Sequence, residues 1–193
     1  MKYLSAILMA FLVFVACKEP KTITKELPAD SIFRLTSDWQ NQDGASMQLK
    51  DLQGKTLVVV MIYTSCRTAC PVLVAKMKSI EGAINRKLID DVSLVLVSID
   101  PKNDTPEKLK EFAAKNNMAD KHWMFLRSDD ASTKEFANVL SMKYKQISPI
   151  DFSHSNIVSI FSPDGQMVKQ IEGLEIDVRK VADIVNQTVK KNN

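Results

Sequence analysis

Two long runs of aliphatic residues constrain the fold of this chain more than any other feature. Residues 56–63 are TLVVVMIY and residues 92–99 are VSLVLVSI, with very few polar side chains in either run. Continuous runs of this kind are typical of strands covered on both faces, as in parallel sheets. Between them Leu73, Met77 and Ile80 recur at steps of four and three, which predicts the apolar face of a helix. A strand, a helix and a second strand in this order favour a right-handed parallel unit.

Shorter elements are predicted on either side of this unit. An N-terminal hairpin is expected from residues 33–36 and 47–49, around the turn Asn41-Gln42-Asp43-Gly44. The later predicted elements are a helix that begins at Asp104-Thr105-Pro106, a strand over 123–126, a helix capped by Ser132, a hairpin over 157–161 and 167–171, and a helix marked by Val178, Val181 and Val185. The resulting α/β order resembles a thioredoxin-like fold with an N-terminal β-hairpin and an inserted βα element.

The first seventeen residues resemble a bacterial lipoprotein signal. Lys2 is followed by an apolar run from Leu4 to Ala16, which is too short to span a bilayer, and then by Cys17. We therefore expect a signal peptide over residues 1–16, a lipidated Cys17 that begins a polar tether over 17–30, and one domain over 31–193. A plain secretory signal and an uncleaved anchor are the alternatives.

Location and charge limit the partners that this chain can have. A lipidated Cys17 would make the protein a membrane-anchored lipoprotein of the cell envelope that faces an extracytoplasmic compartment. The 193 residues carry a formal net charge of +3, and the two signs are interspersed. Because no basic segment stands out, we expect no nucleic-acid partner.

Cys66 and Cys70 are the two thiols that remain if Cys17 carries lipid. They lie where a buried strand gives way to a helix, and a bridge that closes so short a loop adds little stability. The two sulfurs could instead bond to each other or hold one metal ion. The helix N-terminus and Arg67 are expected to lower the pKa of either thiol. The alternative is a pair of buried cysteines that act as small apolar residues.

A metal site needs a third ligand, and the chain has two histidines. His154 comes immediately before a predicted strand, where a thioredoxin-like fold would bring it to the cysteine loop. His122 lies in a polar turn and is expected to be solvated. The methionines at helical and strand positions are expected to fill the core, and they are Met61, Met77 and Met124. Two thiolates and an imidazole suit Cu(I), with Cu(II) and Zn also possible.

Four stretches of the chain resemble the Sco/SenC family of copper chaperones. They are FRLTSDWQNQDG, GKTLVVVMIYTSCRTACP, LVLVSIDPKNDTPEKLKEFA and HSNIVSIFSPDG. The resemblance implies that Cys66, Cys70 and His154 bind one copper ion, as Cu(I), Cu(II) or both. It places Asp100 near that ion, although Asp100 could equally cap the loop before Pro101. Family members deliver copper to cytochrome c oxidase or reduce the cysteines of its copper site, so a respiratory copper enzyme and a thiol reductant are the implied partners.

The sequence departs from the family pattern between its two cysteines. Arg67-Thr68 stand where usual members have Pro-Asp, which suggests a divergent subgroup. The second hypothesis is a thiol–disulfide reductase in which Cys66 and Cys70 form a redox-active pair and His154 is the base. Asn156 stands where such oxidoreductases carry a proline, which argues against general disulfide exchange. A peroxidase of the peroxiredoxin type is a third hypothesis, weakened by the missing proline upstream of Cys66. The leading expectation is therefore a copper chaperone that is not an enzyme in the turnover sense.

Overall fold

A computed structural model describes residues 26–67, 69–149 and 151–192. The strands are β1 (Asp38–Asn41), β2 (Ser46–Gln48), β3 (Thr56–Ile62), β4 (Val92–Ser98), β5 (Trp123–Arg127), β6 (Tyr144–Ser148), β7 (Asp151–His154), β8 (Ile157–Phe161) and β9 (Met167–Glu172). The helices are α1 (Ala69–Ala83), α2 (Pro106–Lys115), α3 (Asp130–Val139) and α4 (Val178–Asn192). The proposed signal peptide and Cys17 lie outside the described residues.

Seven of the strands form one mixed sheet in the order β2-β1-β5-β4-β3-β8-β9. β3, β4 and β5 run parallel, and the remaining pairs are antiparallel. The sheet with its helices confirms the predicted thioredoxin-like α/β fold. None of the helices within the described ranges is long and apolar enough to cross a membrane.

The two aliphatic runs form the centre of the sheet, as predicted. Every residue of β3 and β4 is buried, and Val58 pairs with Leu94 on one side and with Ile160 on the other. Burial of one such side chain contributes about 1.5–3 kcal/mol relative to exposure. The core also takes in Met61 and Met77, while Met124 is half-buried against it. This arrangement confirms that these methionines fill the core. The buried position of β3 also fixes where the loop after it begins.

Two predicted boundaries are wrong, and capping explains both. Residues Ile32–Arg34 form a 3-10 turn because the Ser31 hydroxyl accepts a hydrogen bond from the Phe33 N–H, so the first hairpin is made by β1 and β2 instead. The α3 helix begins three residues earlier than predicted, because Asp129 rather than Ser132 caps it. The α2 helix begins as predicted, with Thr105 as its N-cap and Pro106 in its first turn.

A two-stranded sheet formed by β6 and β7 lies outside the main sheet and was not predicted. Its residues are mostly half-buried or exposed, and Tyr144 and Phe152 are the two that pack against the core. Tyr144 pairs with His154, the last residue of β7. This hairpin therefore carries the histidine that the sequence singled out.

Candidate metal centre

The two cysteines lie on the loop that joins β3 to α1. Cys66 is half-buried and lies before the helix, whereas Cys70 is 1% exposed and lies in its first turn. The Cys66 Sγ accepts a hydrogen bond from the Cys70 N–H at 3.3 Å, so it satisfies a donor that a helix leaves unpaired. Cys66 thus lies outside α1, but its sulfur is close to the helical turn that carries Cys70.

The buried carboxylate of Asp104 supports the start of this loop through hydrogen bonds. Asp104 is 1% exposed and accepts hydrogen bonds from the Thr64 N–H at 3.2 Å and from the hydroxyls of Thr64 and Ser98. Burial raises the pKa of Asp104, although these hydrogen bonds oppose the effect. The sequence indicated Asp104 only as part of a helix start; its support of the cysteine loop was not predicted, and its place in the stretch DPKNDTP was the available signal.

Asp100, the predicted nearby acid, is bound within its own loop. Its carboxylate oxygens accept hydrogen bonds from the Asn103 Nδ2 at 3.0 and 2.8 Å. Its carbonyl accepts from the N–H groups of Asn103 and Asp104. These contacts favour the loop-capping interpretation of Asp100.

His154 reaches the cysteine loop from β7. Its Nε2 lies 3.8 Å from the Cys70 Sγ, and its Nδ1 lies 3.0 Å from the Ser155 carbonyl oxygen. Because a carbonyl oxygen only accepts, Nδ1 carries the proton and the Nε2 lone pair faces the thiol. One ligand atom from each of Cys66, Cys70 and His154 lies within 4.8 Å of the others. The structure thus brings together the three residues that the sequence predicted.

The pKa of the Cys70 thiol is shifted in the opposite direction to the sequence-based expectation. Burial raises the pKa of the Cys70 thiol, and the neighbouring Cys66 raises it further. Arg67 is exposed, so its charge is screened by solvent. The pKa of Cys70 is therefore raised rather than lowered, and a cation that binds Cys70 must displace a proton.

The environment of Tyr63 was also not anticipated. Tyr63 follows β3 directly and is 1% exposed. Burial, followed by its hydrogen bond to Asp151, raises the pKa of Tyr63, so the phenol is neutral and can donate. The sequence showed Tyr63 only as the end of an aliphatic run.

His122, predicted to be solvated, is instead packed in a polar cluster. Its side chain is 12% exposed, and its Nε2 lies 2.6 Å from the Glu81 Oε1. The same oxygen accepts from the Trp123 Nε1 at 3.1 Å, and the Glu81 Oε2 pairs with the Lys78 Nζ at 2.7 Å. Asp120 adds a third possible ligand atom within 4.8 Å of the other two. Because both Glu81 oxygens are engaged and a lysine is adjacent, we interpret this cluster as a link between α1 and β5.

The comparison with known proteins agrees with the fold. A sequence profile of the SCO1/SenC family matches residues 24–190. The SCO1 protein homolog of Bacillus subtilis (strain 168) is 31% identical over 140 residues, which are 71% of this chain and 72% of that protein.

Solved structures with the same fold include two Sco proteins. BsSco is described with a disulfide switch, as a member of the Sco family of cytochrome c oxidase assembly proteins. Its sequence is 29% identical to this chain, and the TM-score of the two structures is 0.68. The match covers 79% of this chain and 91% of BsSco. Arabidopsis thaliana ScoI with copper bound is 23% identical with a TM-score of 0.71, covering 80% and 96% of the two chains. The chain belongs to the SCO1/SenC family.

Proposed function

We propose that this chain binds one copper ion through Cys66, Cys70 and His154 and transfers it to a copper enzyme. The observation that carries the proposal is the meeting of three ligand atoms within 4.8 Å of one another. Two sulfurs and one imidazole nitrogen are soft to borderline ligands, and this set suits copper. A structural zinc site normally takes four protein ligands, so a set of three fits zinc less well.

The relatives support a role in the assembly of a respiratory enzyme. Arabidopsis thaliana ScoI is described with copper bound, and BsSco is described as a member of a family of cytochrome c oxidase assembly proteins. We therefore propose the copper site of cytochrome c oxidase, or of a related respiratory enzyme, as the recipient. Arg67 is exposed beside Cys66, so the surface that a recipient meets differs from the family pattern here.

The three proposed ligand residues would have different roles in such a site. The buried Cys70 and the oriented His154 hold fixed positions. Cys66 is more exposed and is the thiol that an incoming or outgoing ligand can reach. Bound copper serves as cargo, which leaves when ligands of the recipient replace those of the chain.

Thiol–disulfide reduction is the second candidate function. A more exposed thiol next to a buried one is the arrangement that an attacking and a resolving cysteine would need. Two features oppose it as the main activity: burial raises the pKa of the Cys70 thiol, and Asn156 replaces the proline of general oxidoreductases.

A copper titration against a competing chelator separates these functions. Cys66→Ser, Cys70→Ser and His154→Ala should each weaken copper binding by about 100-fold or more, because each removes one of three ligands. His122→Ala is the matched control and should leave the affinity unchanged. The unloaded protein should reduce the disulfides of insulin slowly. Rapid reduction of insulin, combined with copper binding that is unchanged by substitution of the cysteines, would favour the reductase function.

We also propose that the mature chain is a lipoprotein anchored through Cys17 and facing an extracytoplasmic compartment. The support is the sequence of residues 1–17, with its short apolar run before the cysteine. Two or more acyl chains suffice for stable anchoring. Cys17→Ser should move the protein out of the membrane fraction and remove the lipid from its intact mass. A mutant that stays in the membrane at an unchanged mass would contradict the proposal.

A further inference from the structure

The hairpin that carries His154 is not part of the main sheet, so other contacts must hold it over the cysteines. At its base, the Ser155 N–H donates to the Lys143 carbonyl at 2.9 Å. Hairpins of two strands are marginally stable on their own. The position of His154 relative to the thiols therefore depends on how the hairpin is attached to the domain.

Tyr63 makes several of the contacts that attach the hairpin to the domain. Its hydroxyl donates to a carboxylate oxygen of Asp151 and accepts from the Phe152 N–H at 3.3 Å. Its ring packs edge-on against Phe152 at 5.1 Å and against His154 at 5.8 Å between centroids. One buried side chain thus contacts three of the four residues of β7, including the proposed ligand.

The same residue also contacts the cysteine loop. The Tyr63 carbonyl accepts a hydrogen bond from the Cys66 N–H at 3.2 Å. Because Tyr63 directly follows β3, its backbone is fixed by a strand that pairs on both sides within the sheet. Its backbone therefore helps to locate Cys66, and its side chain contacts β7 and also interacts with the Cys66 side chain.

We infer that Tyr63 is a positioning residue that sets His154 over the cysteine pair through its hydroxyl. The inference rests on the proposed copper function. Without the hydroxyl, the hairpin loses two hydrogen bonds to the sheet, and His154 spends part of its time away from the thiols. Copper would then keep both sulfurs and lose part of its contact with nitrogen.

Tyr63→Phe in the full chain tests this, because it removes the hydroxyl and keeps the ring. We expect copper affinity to fall about tenfold, the effect of weakening one ligand rather than deleting it. Nitrogen hyperfine coupling in the electron paramagnetic resonance spectrum of the Cu(II) form should weaken in parallel. Tyr144→Phe is the matched control: it lies opposite His154 on the same hairpin, and its hydroxyl has no hydrogen-bond partner among the described residues. It should leave both measurements unchanged.

A double substitution separates positioning from general stability. If Tyr63 acts through His154, then Tyr63→Phe should weaken copper binding no further once His154→Ala is present. A full additional loss in that background would overturn the inference, as would an unchanged affinity and spectrum in Tyr63→Phe alone.

A copper-free measurement keeps this inference distinct from the proposed function. In the unloaded protein, Tyr63→Phe should speed hydrogen exchange of the amides of residues 151–155 by about tenfold, while those of β3 stay protected. If the wild type fails to bind copper through its thiols, the proposed function fails, and the exchange result still decides whether Tyr63 holds the hairpin. Unchanged exchange in the hairpin would overturn the attachment itself.

Discussion

Replacement of Asp104 by alanine should destabilise the protein far more than loss of an ordinary surface aspartate. Asp104 is 1% exposed and accepts hydrogen bonds from one backbone N–H and from two hydroxyls. Each buried donor left without a partner costs about 1–3 kcal/mol, and hydroxyls can partly reorient. We therefore expect the free energy of unfolding to fall by about 3 kcal/mol.

Urea denaturation of the full chain measures this, with Asp129→Ala as the matched control. Asp129 caps α3 at the surface through one hydrogen bond of 2.7 Å to the Ser132 N–H. Loss of such a cap costs about 1 kcal/mol. If Asp104→Ala costs no more than Asp129→Ala, the buried carboxylate does not support the cysteine loop as argued.

The pH dependence of this cost has a definite sign. Burial raises the pKa of Asp104 in the folded chain, so folding favours the protonated form. The stabilising contribution of Asp104 is then greatest below the ordinary pKa of aspartate and declines as the pH rises through the higher folded value. The difference between wild type and Asp104→Ala should therefore shrink from acidic to neutral pH. A difference that grows over this interval would contradict the assigned direction.

Three further predictions concern the thiols and the polar cluster at the other end of α1. A disulfide between Cys66 and Cys70 removes both sulfur ligands, so the oxidised protein should not bind copper until it is reduced. Intact mass and chelator competition measure this, and copper retained by the disulfide-bonded form would refute the prediction. Because burial raises the pKa of Cys70, copper must displace a proton, and the apparent affinity should rise by about tenfold per pH unit near neutrality for each proton released. A flat profile would mean that the thiols are already ionised. Burial alone would raise the pKa of Glu81, but its hydrogen bonds to Lys78, His122 and Trp123 lower that pKa overall. Glu81→Gln should therefore reduce the free energy of unfolding by about 1–2 kcal/mol at neutral pH, as measured by denaturation. That cost should fall as the pH drops through the folded pKa of Glu81, whereas a cost independent of pH would remove the assigned role of its charge.

The central sheet and the ligand set could be predicted because local sequence determines them. The runs that became β3 and β4 are apolar throughout, which leaves burial on both faces as the only stable arrangement. Cys66 and Cys70 are close because so few residues separate them. His154 could be placed because it precedes a strand that pairs beside β3.

The features that could not be predicted depend on contacts between residues that are distant in the sequence. The β6–β7 hairpin has no apolar periodicity, and its attachment comes from Tyr63, which is 88 positions before Asp151. The thiol pKa of Cys70 depends on burial that its neighbours in sequence do not reveal. His122 was misjudged for the same reason, because its partner Glu81 lies 41 positions away.

Copper K-edge X-ray absorption of the full chain loaded with one equivalent of copper tests the central claim most directly. The account predicts a first shell of two sulfur atoms and one imidazole nitrogen, from the three ligand residues that lie within 4.8 Å of one another. His154→Ala should remove the imidazole signal and leave both sulfurs, whereas His122→Ala should leave the spectrum unchanged. A wild-type shell without sulfur, or an imidazole signal that disappears with His122 instead of His154, would contradict the account.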